Sequence, residues 1–379
     1  MTITIDRARL AEAISRVQRI VEKRNTIPIL SNLLLRAEGG RLRLTATDLD
    51  MWATTEVEAV VEAPVVTTVP AAIFAAGAGK MPDGDVRIAV DKDGAAIKVT
   101  AGRARMSVHI LPATDFPDPP AEDFPVSFRL PAATLVRLLS KTSIAMSDEA
   151  TRYYLNGAYL HVHAGQDGLS LRVVATDGHR LVRADAPLPD GAEGMEGVII
   201  PSRTVHEMIR LAKDAGEVEI AVSTAKIRMT AGDTVLVSKL IDGTFPDYHR
   251  VIPRDQRLHM TVPSDGLAAA IGRATVVAAH KLRAARFDLV DDLLSVTVVN
   301  ADAGEATAEV DVSTTAEAGA GTAITIGFNT GYVLSLLDVI GPGPVVFRMS
   351  DPGGAAVLEP AEPRPAGCGE LAVIMPMRV

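Results

Sequence analysis

The chain has 379 residues, a formal net charge of −9, 47% apolar and 22% charged residues, and a single cysteine, Cys368. That length exceeds one ordinary core, so two or three domains are expected, and the composition is that of a globular rather than a disordered chain. One cysteine excludes an intramolecular disulfide and any multi-cysteine metal site, charges interrupt every apolar run before membrane-spanning length, and the start, MTITIDRARLAEAI, lacks the pattern of a secretory signal; a cytoplasmic location is expected.

In chain order, the first element is a short strand, Ile3-Thr4-Ile5, ending at Asp6, which suits a helix N-cap. It opens an amphipathic helix expected over 6–24. A hairpin follows: Leu33 to Ala37, the turn glycines Gly39 and Gly40, then Leu42 to Thr45. Thr67-Thr68-Val69-Pro70 leads into a second helix over 70–80, and Val86 to Val90 reads as a further strand. Pro117-Asp118-Pro119-Pro120 marks a linker.

The pattern then begins again. Phe128-Arg129-Leu130-Pro131 opens a helix expected over 131–146, Leu169 to Val173 reads as a strand, and Val198 to Pro201 opens a helix over 201–213, followed by a strand at Val218 to Val222. Arg250-Val251-Ile252-Pro253 marks a second linker. A third round starts at Met260-Thr261-Val262-Pro263, with helices expected over 263–286 and 328–340 and strands at Leu293 to Val298 and Val345 to Met349. Pro70 and Pro201 lie 131 positions apart, and Pro131 and Pro263 lie 132 apart. Ala-Thr-Asp occurs at 46–48 and 175–177, and Phe-Pro-Asp at 116–118 and 245–247, each pair at an offset of 129. Several independent markers holding one spacing identify an internal repeat. The expected fold is α+β: three modules, near 1–122, 127–254 and 257–379, each packing two helices on one face of a mostly antiparallel sheet.

Charge is unevenly placed. The six expected helices carry a net +10, leaving −19 on the rest. If the helices share one surface, that surface attracts phosphates without reading bases, while the acidic remainder repels them. Arg137, Lys141, Arg203, Arg210 and Arg273 are the helix cations assigned to DNA. Sparse aromatics (4%) argue against a base-stacking single-strand binder.

Several runs carry a family resemblance: Ile27-Pro28-Ile29-Leu30-Ser31-Asn32, Arg152-Tyr153-Tyr154-Leu155-Asn156-Gly157, Ala175-Thr176-Asp177-Gly178-His179-Arg180-Leu181, Ser238-Lys239-Leu240-Ile241-Asp242-Gly243 with Phe245-Pro246-Asp247-Tyr248, and the terminal Met375-Pro376-Met377-Arg378-Val379. In order and spacing across the chain they resemble the DNA polymerase III beta subunit family, the bacterial sliding clamps. The resemblance implies a non-enzymatic processivity factor without cofactors: a homodimeric, head-to-tail ring of six modules around duplex DNA, serving the replicative polymerase, the clamp loader and other partners in DNA replication.

It also implies residue roles. Arg24, Tyr153 and Tyr154 are expected at DNA, although Asp148-Glu149 stand where the family carries an uncharged polar residue. A pocket for partner peptides is expected from Leu155, Thr176, Gly178, His179, Arg180 and Leu181 with Pro246, Arg250 and Val251, completed by Val373, Met375, Pro376, Met377 and Arg378. The dimer contact is expected to join Ile73, Phe74, Arg103, Arg105 and Met106 to Val276, Val277, Asp302 and Glu305 of a second copy. The Pro-rich stretch Glu359 to Pro365 looks like an insertion without an assigned role. Two rival readings remain open at this point: an enzyme or metal protein built on His161-x-His163 or Asp177-Gly-His179, which lacks an identified third ligand, and a protein-binding scaffold of repeated modules that never meets DNA.

Overall fold

A computed structural model describes residues 2–22, 26–91, 93–119, 123–166, 168–278, 284–319, 321–365 and 367–379. Six α-helices are found among them: α1 Arg7–Val17, α2 Ala71–Lys80, α3 Ala132–Ser143, α4 Ser202–Ala212, α5 Ser264–Ala274 and α6 Thr330–Ile340. No described helix is long and apolar enough to cross a membrane.

Each helix follows a strand and starts where the chain supplies a cap or a proline. Asp6 Oδ1 accepts from Ala8 N and Arg9 N at 2.9 and 3.1 Å, capping α1. Asn329 Oδ1 accepts from Gly331 N and Tyr332 N and caps α6, so Phe328, expected to open that helix, instead lies in the strand Ala323–Asn329 as buried core. Two expected helices are too long. The first ends at Val17 and tightens into a 3-10 turn, Gln18–Ile20. The fifth ends at Ala274, where the β-branched run Thr275-Val276-Val277 forms a 3-10 turn, and Arg286 lies on the strand Ala284–Val290.

The repeated triplet has a local cause. Thr47 Oγ1 accepts from Leu49 N, and Asp48 Oδ1 accepts from Asp50 N and Met51 N. Thr176 Oγ1 likewise accepts from Gly178 N, and Asp177 Oδ1 from His179 N and Arg180 N. Both triplets therefore build the same side-chain-to-backbone turn between paired strands. The turn needs a left-handed residue, supplied by Gly178 at φ 86° but by Leu49 at φ 76°. The third round makes the turn with Asn300, whose Oδ1 accepts from Asp302 N.

The chain forms two compact units: residues Met1–Leu135 with His206–Leu240, and Val136–Val205 with Ile241–Val379. The first holds a five-stranded antiparallel sheet, in the order Val60–Val61, Thr2–Asp6, Asp85–Val90, Ala96–Ala101, Ala104–His109, and an eight-stranded sheet. In the latter, Thr234–Lys239 pairs antiparallel with Met51–Glu58, in register Thr234↔Thr55 to Ser238↔Met51. Helix α1 packs on Met51–Glu58 and on α2, burying Leu10, Ala13, Ile14 and Val17. The hairpin Asn32–Glu38 with Arg41–Thr47 forms around Gly39 and Gly40, both at positive φ.

The second unit holds a nine-stranded sheet and a four-stranded sheet. Arg180–Pro187 pairs antiparallel with Glu370–Ile374, in register Arg180↔Ile374 to Ala184↔Glu370. The smaller sheet runs Gly304–Asp311, Leu293–Asn300, Ala284–Val290, Ala323–Asn329, with α5 and α6 packed together in the same unit.

Candidate functional site

Most of the expected peptide pocket assembles in the second unit. Its frame is the turn at Asp177-Gly178-His179. Thr176 Oγ1 donates to Arg180 O at 2.8 Å, and the Asp177 carboxylate also holds Arg180 Nε at 3.0 Å. A Cβ on Gly178 would lie 2.6 Å from Arg152 Nη1, the movable end of a side chain, so it is chiefly the positive φ that favours glycine here. Arg152 is itself gripped by Glu149, at 2.8 and 2.6 Å, which raises its pKa further. Glu149 thus orients the arginine resting on the Gly178 turn.

Beneath lies a buried apolar cluster containing Leu155, Leu181 and Val373 with Val174, Ile199, Phe245, Tyr248, Val357 and Leu371. Leu155, Leu181 and Val373 were expected as walls; their burial makes them floor. The apolar surface left to a ligand comes from Val251, Met375 and Met377, all exposed. Val251 follows the 3-10 turn Tyr248–Arg250, with Pro246 exposed just before it and Arg250 paired with Asp247 at 3.0 Å. The tail carries Met375, Pro376, Met377 and Arg378. Met375 N donates to His179 O and Met377 N to Gly327 O, both at 2.8 Å. A Cβ on Gly327 would sit 2.3 Å from Met377 O, so the tail lies directly on that strand.

Two side chains were missed from the sequence. Tyr332 on α6 lies under Arg180, 4.4 Å from guanidinium to ring centroid, and its ring stacks against His179 at 6.3 Å. Ser335, one turn on, accepts from Arg180 Nη1 at 2.6 Å. Their i, i+3 spacing is legible, but nothing in the sequence connects α6 to a turn over 150 residues earlier.

The cations expected at DNA are more varied than expected. Arg24 lies outside the described residues, as do Lys23, Lys281 and Arg283, which entered the helix charge. With Arg286 on a strand as well, the cation excess on the helices proper is smaller than the sequence suggested. Tyr153 is exposed and meets Tyr154 edge-on at 5.7 Å, while Tyr154 packs on the buried cluster. Arg273 is exposed in the last turn of α5, and Arg203 stands on α4. Arg210 bonds Glu207 and donates to Arg16 O near the end of α1. Arg137 and Lys141 are drawn onto Glu370.

The expected dimer residues fall on two sheet edges and on the helical segments packed beside them, α2 and the 3-10 turn Thr275–Val277. Ala104–His109 is an edge strand of the five-stranded sheet, with Arg103 and Arg105 exposed; Met106 lies over Gly77 of α2. Gly304–Asp311 is an edge strand of the four-stranded sheet and carries exposed Glu305, with exposed Asp302 just before it. Val276 is 81% exposed, and Val277 O accepts from Asn300. One residue must be withdrawn from this interface: Phe74 is 0% exposed, the core-facing side chain of α2, whereas its neighbour Ile73 is 53% exposed.

The histidines of the rival reading have other work. His161 Nδ1 lies 3.0 Å from Val162 O and Nε2 3.1 Å from Tyr248 OH, so both ring nitrogens are engaged. His163 stacks on His249 at 5.5 Å. Asp177 is committed to its turn and to Arg180. Among the described residues no group of three or more His, Cys, Asp or Glu is arranged to hold a metal.

Known proteins give the same picture over the whole length. Family models for the N-terminal, central and C-terminal domains of the DNA polymerase III beta subunit match residues 1–120, 129–247 and 249–378. The beta sliding clamp of Caulobacter vibrioides is 42% identical and that of Escherichia coli K12 35%, each with 100% of both chains covered. The crystal structure of a DnaN sliding clamp from Bartonella birtlesii bound to griselimycin superposes with a TM-score of 0.94 at 38% identity. A Caulobacter crescentus beta sliding clamp with polyethylene glycol bound to its putative beta-motif tethering region gives 0.94 at 41%; both cover 100% of each chain. With its three successive modules all matched in order, the chain belongs to the DNA polymerase III beta subunit family, the bacterial beta sliding clamps.

Proposed function

We propose that the protein is a processivity factor: two chains close head to tail into a ring around duplex DNA, and the ring tethers the replicative polymerase, its loader and other DNA enzymes through short peptides. The modules are taken as residues 1–122, 127–254 and 257–379. No step of this function is chemical; the protein acts by topology and by docking, in the cytoplasm where replication takes place.

The observation that carries the reading is a pair of oppositely charged edge strands on one chain, Ala104–His109 and Gly304–Asp311. Arg103 and Arg105 mark one; Asp302, Glu305, Glu309 and Asp311 mark the other. An open edge invites another strand, and closure removes the liability. Opposite charge favours pairing the basic edge of one copy with the acidic edge of another, and repeating that contact under a two-fold operation pairs both charged edges of each copy. Ile73 and Val276 add exposed apolar surface beside the edges.

Within the ring, Arg24, Arg203, Arg210 and Arg273 are proposed to face phosphates, with Tyr153 and Tyr154 at the rim. Such contacts carry no base information, which suits a ring that must slide. Partner peptides carrying a glutamine, then leucine and a terminal aromatic, are proposed to enter over Val251, Met375 and Met377.

Sedimentation tests closure. The wild type is expected at twice the 39.9 kDa chain mass, and Ile73→Asp with Val276→Asp is expected to run as a monomer that melts near the wild-type temperature. A double variant that stays dimeric would show the interface lies elsewhere.

A further inference from the structure

One charge cluster in the second unit is used neither by the peptide groove nor by sheet-edge pairing. Glu370 opens the strand Glu370–Ile374, and its side chain is only 4% exposed. Three cations converge on it. Arg137 Nη1 lies 3.1 Å from Oε1, Lys141 Nζ 2.9 Å from Oε2, and Arg364 Nη2 3.4 Å from Oε2. Arg364 comes from the Pro-rich stretch that had no assigned role.

Each cation also holds backbone. Arg137 Nη2 donates to Asp185 O at 2.6 Å, Lys141 to Val339 O, and Arg364 to Ile340 O at 2.9 Å. The last two acceptors belong to the final turn of α6, the negative end of its dipole. The Asp185 carboxylate gives no relief, because Arg172 and Arg183 occupy it. One buried carboxylate therefore faces three cations, a formal surplus of two positive charges. The cations keep 28%, 20% and 39% of their side chains exposed, so solvent and solutes reach them.

Guanidinium forks beside an ammonium match the oxygens of a phosphate group, and charge-assisted bonds of this kind are the strong ones. We propose that Arg137, Lys141 and Arg364 form a binding site for a phosphate-class oxyanion, which competes with Glu370 for its cations and thereby lowers the affinity of the peptide groove. The route is covalent and short. Glu370 pairs with Ala184 at one end of a ladder whose other end pairs Ile374 with Arg180. Met375 follows at once, bonded to His179 O. Five strand residues span roughly 17 Å, so loosening Glu370 frees the far end of the strand that positions the tail. The coupling half of this inference rests on the groove being the docking site proposed above.

The test uses the full-length protein. Inorganic phosphate is titrated by calorimetry against a chloride background of constant ionic strength, and a parallel arm uses a short blunt DNA duplex without terminal phosphates, which separates free phosphate from phosphodiester. In whichever arm binds, Arg364→Ala should weaken binding at least threefold and Glu370→Gln should tighten it at least threefold. Arg364→Ala lies on a surface loop, which guards against a Glu370 variant that misfolds. The glutamine–leucine–aromatic peptide is then titrated with and without saturating phosphate or duplex. Its affinity should fall at least threefold in the wild type and stay level in Arg364→Ala. No binding in either arm, or binding indifferent to both substitutions, overturns the site. Peptide affinity unmoved by a bound oxyanion overturns the coupling. A peptide that fails to bind even without oxyanion removes the docking reading and the coupling with it, while the oxyanion titration still decides the site.

Discussion

His163 and His249 stack face to face beside His161, and the buried Arg172 guanidinium acts on all three. Burial is the largest influence on each, and the cation adds to it: all three imidazoles are held below their ordinary pKa, His163 down to about 4. The Asp185 carboxylate opposes this at His161 and His163, and Asp247 does so at His249, without reversing it. A base whose folded pKa is depressed protonates more readily when unfolded. Its stabilising effect is complete above about pH 6.5 and drains away as pH falls toward 4. The melting temperature should therefore drop between pH 6.5 and 4.5 in the wild type, and drop less in His163→Gln. Equal pH dependence in the two proteins would contradict the assignment.

Val251 carries a second residue-scale expectation. It is exposed in the free chain and is covered by the peptide in the proposed complex, so Val251→Asp places an unpaired charge at a desolvated contact. That costs on the order of 2 kcal/mol or more, about 30-fold in peptide affinity, with the dimer mass unchanged. Calorimetric titration measures it, and an unaltered affinity would place the peptide elsewhere. At this scale the sequence is legible where one residue serves its immediate neighbours: Asp6 caps the helix it precedes, and Gly178 occupies a left-handed turn. It is opaque where the partner is distant. Of the adjacent apolar residues Ile73 and Phe74 on α2, one is exposed and the other buried, and no local rule marks Glu370 as the meeting point of Arg137 and Arg364.

Among elements, the decisive one for the groove is the C-terminal tail. It is held by two backbone hydrogen bonds, to His179 O and Gly327 O, and by its seat on the bare surface of Gly327. Gly327→Ala puts a methyl 2.3 Å from Met377 O and should lift the tail, lowering peptide affinity at least fivefold, close to the effect of deleting Met375 to Val379. Neither change should alter the dimer, since the tail sits on Ala323–Asn329, at the opposite edge of the four-stranded sheet from Gly304–Asp311. Peptide titration with sedimentation as the control checks this, and full affinity in the truncated dimer would exclude the groove. Helix starts are legible from the sequence because prolines and caps act within a turn. Helix ends are less so: nothing local stops the pattern at Val17, and the Thr275-Val276-Val277 run is apolar enough to continue an amphipathic stripe while its β-branched side chains oppose it.

For the whole molecule, the three-fold repeat is visible because each copy rebuilds the same turns and strand-to-helix joints at a spacing of about 130 residues. The division into two compact units is not visible. It arises because strands from successive repeats share sheets: Met51–Glu58 pairs with Thr234–Lys239, and Arg180–Pro187 with Glu370–Ile374. Strand pairing over such separations follows from edges meeting in three dimensions, and the alternation of a strand names its faces but not its neighbour. The same principle underlies the proposed ring closure, in which the edge strands Ala104–His109 and Gly304–Asp311 find partners in another chain. A ring's hold on DNA should depend on topology more than on affinity, because the phosphate-facing charge is modest and strongly screened by salt. The most direct measurement loads the protein with its clamp loader onto nicked circular DNA at physiological salt, then linearises half the sample and follows the bound fraction by gel filtration. The account predicts that protein stays on the circles and runs off the linear molecules; equal retention on both, or equal loss from both, would contradict it.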